Sequence, residues 1–341
     1  MNPDWQKFLG THGARIVDGK VSDFGDLAAE LVAARDATIL TPLPHLGLIE
    51  CTGDDAKAFL QNQLTSDVNH LENNAAQHSS WCSPKGRMLA SFILARVDTA
   101  YLALVSADLL DFVQKRLQIY VLRSKVKIGN ASSDRELIGL SGPAAEVALR
   151  DANLPTPAAP MQSASIGTTT VVRLDNTRYV LIVAKDSAAS VWNALAPHAT
   201  AAGTPAWQWL DVQAGIPLIT EATKEAFVPQ MTNLDKIGGV SFHKGCYPGQ
   251  EVVARTQYLG KVKRHLYRFE ASGPVAPGMP VGTADSAEHN CGTVANAAPS
   301  PSGALEGLAV LLEGTIAGAG LTVALADGQR IALQNVTLVG E

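Results

Sequence analysis

A strand–glycine–helix pattern occurs twice in this chain, and it limits the fold more than any other feature. Leu46 to Cys51 is an apolar run that leads into Thr52-Gly53-Asp54-Asp55, and Leu137 to Leu140 leads into Ser141-Gly142-Pro143. Each run has the length of a buried strand. Each glycine permits a turn that a side chain would resist. The acids after Gly53 and the proline after Gly142 both suit the first turn of a helix. The parallel continues downstream. After Gly53 come a helix to about Leu64, a hairpin, and a helix from about Asp108 to Leu122. The hairpin turns at Ser83-Pro84-Lys85-Gly86 after Trp81-Cys82, and its apolar strands are Met88 to Ala95 and Tyr101 to Val105. Lys125 to Ile128 then alternates as a short strand. After Gly142 come a helix, the linker Leu154 to Pro160, a hairpin and a helix from Asp186 to Leu195. This second hairpin joins Thr168–Leu174 to Tyr179–Ala184 around Asp175-Asn176. Two β-α-β-β-α units predict a duplicated α+β module.

The flanks read differently. Residues 1–21 are mixed in character and predict a loose arm. Ser22-Asp23 predicts the cap of a helix through Arg35, with Leu27, Leu31 and Val32 as its apolar stripe, and Thr41-Pro42-Leu43-Pro44 breaks it. Beyond residue 265 the chain is rich in Gly, Pro, Ala and Val. Short strands at Arg264–Glu270, Cys291–Ala295, Leu308–Leu312, Leu321–Leu325 and Ile331–Leu338 predict a small antiparallel β-barrel. The expected division is 1–40 (arm and helix), 41–264 (two subdomains, 41–135 and 136–264) and 265–341 (barrel). With 341 residues, 46% of them hydrophobic, there is material for several cores. The net charge of −5 gives no whole-chain attraction to nucleic acid. No apolar run reaches the ~18–20 residues of a membrane span, and Met1 to Gly10 lacks a secretion signal pattern. A cytoplasmic protein is expected.

The densest chemistry lies in His243-Lys244-Gly245-Cys246-Tyr247-Pro248-Gly249-Gln250-Glu251-Val252-Val253-Ala254-Arg255. Two glycines and a proline make a stiff turn around a thiol. If a helix begins after it, Cys246 lies near the positive helix end with Lys244 beside it, and both favour thiolate. Cys51 sits in an apolar run and reads as core. Cys82 and Cys291 lack charged company. No C-x-x-C pair occurs, and nothing in the sequence completes a metal site. His243 is adjacent to the thiol in sequence only, so no nucleophile–base–acid triad is evident. Trp207 and Trp209 can form a flat stacking wall or fill the core. The cations from Arg255 to Arg268 suit an anionic ligand or partner.

The octapeptide Lys244-Gly245-Cys246-Tyr247-Pro248-Gly249-Gln250-Glu251 resembles the signature of the YgfZ family, folate-binding proteins related to the aminomethyltransferase (T-protein) of glycine cleavage. The segments Phe59 to Val68, Ala214-Gly215-Ile216-Pro217 and Pro229 to Leu234 share the resemblance, which runs from about Leu43 to the end. It implies three subdomains around a central folate-binding hole, the last a β-barrel. It also implies that tetrahydrofolate, in plain or polyglutamylated form, and the motif cysteine support iron–sulfur enzymes, including some that modify tRNA. Mitochondrial members serve late iron–sulfur assembly. Carried over residue by residue, Cys246, Lys244, Gln250 and Glu251 are the reactive residues of the motif, and Tyr247 within it and Arg255 after it are expected among the folate-binding residues. Trp207 falls at one folate-contacting tryptophan and Leu46 at the other. Gln213 stands where many members have a pterin-binding Glu. Where aminomethyltransferases carry a catalytic acid, this chain reads Gly86-Arg87-Met88-Leu89-Ala90-Ser91, with no carboxylate.

The function expected is therefore a tetrahydrofolate-binding accessory factor for iron–sulfur cluster assembly or repair, without enzymatic turnover of the aminomethyltransferase kind. Cys246 would face the folate and hold a transient cluster, a sulfur species or an adduct. Iron–sulfur assembly proteins or client enzymes are the expected partners, with no direct nucleic acid contact and no membrane. Two alternatives stand beside this. One is a folate-dependent one-carbon transferase that recruits Asp67 or Glu251 as its acid. The other is an interaction module that uses Lys261 and Lys263 on an acidic partner.

Overall fold

The computed structural model describes residues 1–283, 291–315 and 320–340. These form two compact units. The first takes Met1–Leu60, Val68–Gln77 and Phe92–Trp207; the second takes Gln61–Asp67, His78–Ser91 and the chain from Gln208 on.

The two repeats form two sheets of matching order. In one, the strands run Ala75–Cys82, Met88–Val97, Ala100–Ser106, Leu46–Thr52, Lys127–Asn130. In the other they run Ser163–Ile166, Thr169–Arg173, Arg178–Ala184, Arg135–Ser141, Ile39–Pro42, Thr200–Ala201. The strand before each repeated glycine is flanked on both sides by antiparallel neighbours. The glycines are equivalent in physics as well as position. Gly53 has φ +114°, and a Cβ there would lie 2.1 Å from the Lys125 carbonyl oxygen. Gly142 has φ +131°, with the Ala37 carbonyl oxygen at 2.2 Å from such a Cβ. No larger residue fits either turn, so the duplicated α+β module follows from the pattern that predicted it.

The strand that completes the second sheet comes from an unexpected place. Ile39–Pro42 precedes both repeats and pairs with Arg135–Ser141, although Pro42 and the following Pro44 read as a helix breaker. Pro42 is the last residue of that strand, where a missing N–H removes no interior ladder bond. Residues 1–21 also differ from expectation. They hold the helix Pro3–Thr11 and a hairpin of Arg15–Val17 with Lys20–Asp23, not a loose arm. The Asn2 side chain accepts from Asp4 N–H, and Trp5 and Leu9 are buried in the core of the first unit. Trp5 meets Trp192 edge-on at 5.7 Å. Three apolar residues in a short polar stretch are too faint a stripe to read beforehand. The next helix is Leu27–Asp36 with Asp26 as its cap, while Asp23 accepts from Gly25 N–H.

In the second unit, six strands close a barrel in the order Arg264–Ala271, Leu305–Leu312, Gly292–Pro299, Pro280–Thr283, Leu321–Ala324, Arg330–Leu338. Tyr267, Phe269, Val281, Val294, Leu311 and Val323 fill its interior. Gly307 makes room for one of them, since a Cβ there would sit 2.4 Å from Phe269 Cζ. The barrel matches expectation apart from the short strand Pro280–Thr283, which carries no period-2 pattern.

Candidate functional site

The cysteine motif belongs to the second unit, and three of its residues are anchors. Lys244 is 8% exposed. Its ammonium donates to three carbonyls, those of Gln61 at 2.6 Å, Leu64 at 2.6 Å and Ser66 at 2.7 Å. Two of these acceptors lie at or just past the C-terminal end of the helix Ala56–Gln63, where unpaired carbonyls accumulate and a cation is favourable. Burial pulls the Lys244 pKa down to about 8, and the charge of Asp67 opposes the fall. Three acceptors at hydrogen-bond distance require three N–H donors, so the geometry is that of an ammonium. This differs from the expected placement: Lys244 spends every donor on backbone and has none left for a thiolate or a folate carboxylate.

Tyr247 is the second anchor. It is buried, with the Lys244 ammonium 5.3 Å from its ring centroid, and burial raises its phenol pKa, as does the neighbouring Cys82. Gly249 is the third. At φ +83° it precedes the helix Gln250–Tyr258, and a Cβ on it would meet the Ser83 carbonyl oxygen at 2.4 Å. The hairpin turn at Ser83–Gly86, closed by Gly86 N–H to the Ser83 carbonyl at 2.8 Å, therefore packs directly on the motif. Gln230 adds a buried amide that donates to the Val253 carbonyl at 2.7 Å.

The segment Gln61–Asp67 is held from two directions. Thr65 Oγ1 donates to the Gly239 carbonyl at 2.6 Å, and its backbone accepts from Ser241 N–H at 2.9 Å. Ser66 Oγ donates to Ser79 Oγ at 2.7 Å. These residues were visible in sequence only as two polar pairs, Thr65-Ser66 and Ser79-Ser80. Nothing in their spacing announced that they meet.

On this frame His243, Gly245 and Cys246 are exposed while Lys244 and Tyr247 are buried. The other cysteines are buried, and burial pushes the thiols of Cys51 and Cys82 up to about 12. Among the described residues, no hydrogen bond or ion pair joins Lys244, Gln250, Glu251 or Arg255 to the Cys246 sulfur. Gln250 opens the helix and is half-buried, and Glu251 and Arg255 are exposed along it. No group of three or more His, Cys, Asp or Glu able to hold a metal occurs among the described residues.

Trp207, in the first unit, is 1% exposed. Its ring lies over Gly139, where a Cβ would come within 2.4 Å, and the Arg178 guanidinium is 6.0 Å from its centroid. Trp209 is buried as well. Both indoles fill cores, so the stacking wall is absent from the exposed surface. Leu46 is half-buried and borders a small cavity beside Trp5, Pro44 and Glu136. Gln213 donates through Nε2 to the Glu306 carboxylate, and its backbone carbonyl accepts from the Arg268 guanidinium. A glutamate at 213 would set two carboxylates against each other; the amide removes that repulsion. Glu306 lies on the barrel strand Leu305–Leu312, too far along the chain for sequence to pair it with Gln213. Ala90 and Ser91, at the position of the missing acid, are buried, and Ser91 Oγ accepts from Ile219 N–H at 3.0 Å. Among the described residues, no helix is long and apolar enough to cross a membrane.

Comparison with known proteins bears on this arrangement. Residues 20–237 match the family model of the GCVT N-terminal domain. The tRNA-modifying protein YgfZ of Klebsiella pneumoniae (strain 342) is 34% identical over 249 residues, which is 72% of this chain and 75% of that protein. Its namesake from Yersinia enterocolitica is 32% identical over 70% of this chain and 73% of that one. The aminomethyltransferase T of the Bartonella henselae glycine cleavage system shares the fold, with a TM-score of 0.80 at 19% identity, over 96% of this chain and 94% of that one. With the motif anchored as described and these likenesses covering most of its length, the chain belongs to the GCVT N-terminal domain family and, within it, to the YgfZ proteins.

Proposed function

We propose that this protein is a tetrahydrofolate-binding accessory factor that supports iron–sulfur enzymes, among them enzymes that modify tRNA, and that it acts through the exposed thiol of Cys246. The observation that carries the reading is the division of labour in the motif. Lys244, Tyr247 and Gly249 are consumed in holding the turn, and the thiol is left presented. A buried structural cysteine would need no such frame. The absence of a carboxylate at Ala90 and Ser91 argues against aminomethyl transfer by the T-protein route, because nothing there supplies the acid. The names of the relatives point to tRNA modification, and iron–sulfur dependence of the modifying enzymes would connect that readout to a thiol.

The test has two arms. In a strain that lacks its own copy, the wild-type chain should restore an iron–sulfur tRNA-modifying enzyme, and Cys246→Ala should not. Full rescue by Cys246→Ala would end the thiol reading. Separately, calorimetric titration should show saturable tetrahydrofolate binding; a flat titration would remove folate from the proposal.

A further inference from the structure

Cys246 is not isolated on its surface. The helix that follows the motif ends in Tyr258 and Leu259, exposed at 62% and 86%. Phe242, on the entering side of the motif, meets the Tyr258 ring edge-on with centroids 6.0 Å apart. Phe242 is four residues from Cys246, so their Cα atoms lie within about 14 Å of each other even with the chain fully extended. Large apolar side chains exposed together beside a functional group mark contact surfaces more often than chance solvent exposure.

The charge around them is mostly positive, with Glu251 one helical turn before Arg255 and Glu313 beside Lys261 as the acidic exceptions. From Val252 to Phe269 there is no acidic residue, while Arg255, Lys261, Lys263 and Arg264 lie between, in a chain of net charge −5. Lys261 pairs with Glu313 at 3.1 Å, at a site where both side chains are solvated and the pair is weak. Arg255 and Lys263 are exposed. An apolar centre with a cationic rim is the anatomy of a protein-docking patch. Nucleic acid would be served by the cations and by Tyr258, but gains nothing from Leu259, the most exposed of the group.

We infer that Phe242, Tyr258 and Leu259, rimmed by Arg255, Lys261 and Lys263, form the docking surface for an acidic protein whose acceptor site is thereby brought to Cys246. The inference rests on the thiol reading above and adds to it a partner of stated chemistry and a place of contact. Docking aligns the two proteins; it requires no bond to form.

The experiment compares the double variant Tyr258→Ser, Leu259→Asp with the wild type, Cys246→Ala and Ile166→Asp in the deletion strain. Ile166 is an exposed apolar residue of the first unit, 56% exposed, and controls for surface change as such. The double variant should lose restored iron–sulfur enzyme activity by about ten-fold or more, as removal of hot-spot side chains does, while Ile166→Asp keeps it. Ellman titration of the purified double variant should still find the Cys246 thiol accessible, which separates lost docking from a lost fold. Rescue by the double variant equal to wild type would overturn the docking surface and leave the thiol reading standing. Retention of bulk tRNA by the wild type, lost in the double variant, would overturn it in favour of an RNA surface. Failure of the wild type itself to rescue would take both readings down.

Discussion

Replacing Lys244 with methionine tests the anchoring argument most directly. The ammonium makes three hydrogen bonds to buried carbonyls, and Met fills the same volume with no donor. Hydrogen bonds to charged groups are each worth about 1.5–3 kcal/mol, so roughly 6 kcal/mol of attraction is lost. Against that, the variant no longer buries a charge. The drop of the pKa from 10.5 to about 8 corresponds to a net penalty on the charged form of about 3 kcal/mol at ~1.4 kcal/mol per unit, desolvation less the attraction of Asp67. The expected net loss is therefore about 3 kcal/mol, a large share of the ~5–15 kcal/mol by which domains are stable. It should be local at first, because the freed carbonyls belong to Gln61–Asp67. The measurement is urea unfolding with a matched m-value, together with the rate of proteolytic cleavage in that segment. Stability within about 0.5 kcal/mol of wild type and unchanged cleavage would refute the anchor.

In the native protein Ellman's reagent should react quickly with one of the four thiols, Cys246, and with all four only after unfolding; two fast thiols would contradict the burial of Cys51, Cys82 and Cys291. Gly249→Ala should destabilise by about 2–4 kcal/mol, from left-handed strain plus backbone overlap at Ser83, and should alter Cys246 reactivity with it; a neutral outcome by urea unfolding would show the turn can shift. Burial raises the Glu136 pKa to about 7 from 4.5, with Asn2 N–H opposing. The folded state then binds the proton more tightly than the unfolded one, so this residue's contribution is full below about pH 4.5 and is lost as pH rises to about 7, by roughly 3 kcal/mol. Glu136→Gln should flatten that slope in unfolding curves measured from pH 5 to 7.5, and an unchanged slope would place its origin elsewhere. Gln213→Glu sets a second carboxylate against Glu306 and should cost about 1–2 kcal/mol relative to wild type at neutral pH, recovered as the pair is protonated; a loss relative to wild type that is the same at pH 7 and 5 would show that the two side chains have moved apart.

Much of this protein was determined locally and was legible in the chain. The twin turns at Gly53 and Gly142 require φ angles that only glycine adopts freely, so the repeat could be read without a structure. The exposed thiol in a glycine- and proline-held turn was readable for the same reason. What the tertiary structure decided were the partners of long, flexible polar side chains. Lys244 looked like an activator because it is two residues from Cys246, yet a four-carbon stem reaches many places, and packing sent it to carbonyls 178–183 positions earlier in the chain. Trp207 looked like a wall, but Gly139, which admits its ring, is contributed by the distant strand Arg135–Ser141. Gln213 looked like a missing carboxylate until the barrel placed Glu306 beside it. Backbone constraints are written in neighbouring residues, whereas the destination of a side chain depends on elements that only folding brings together.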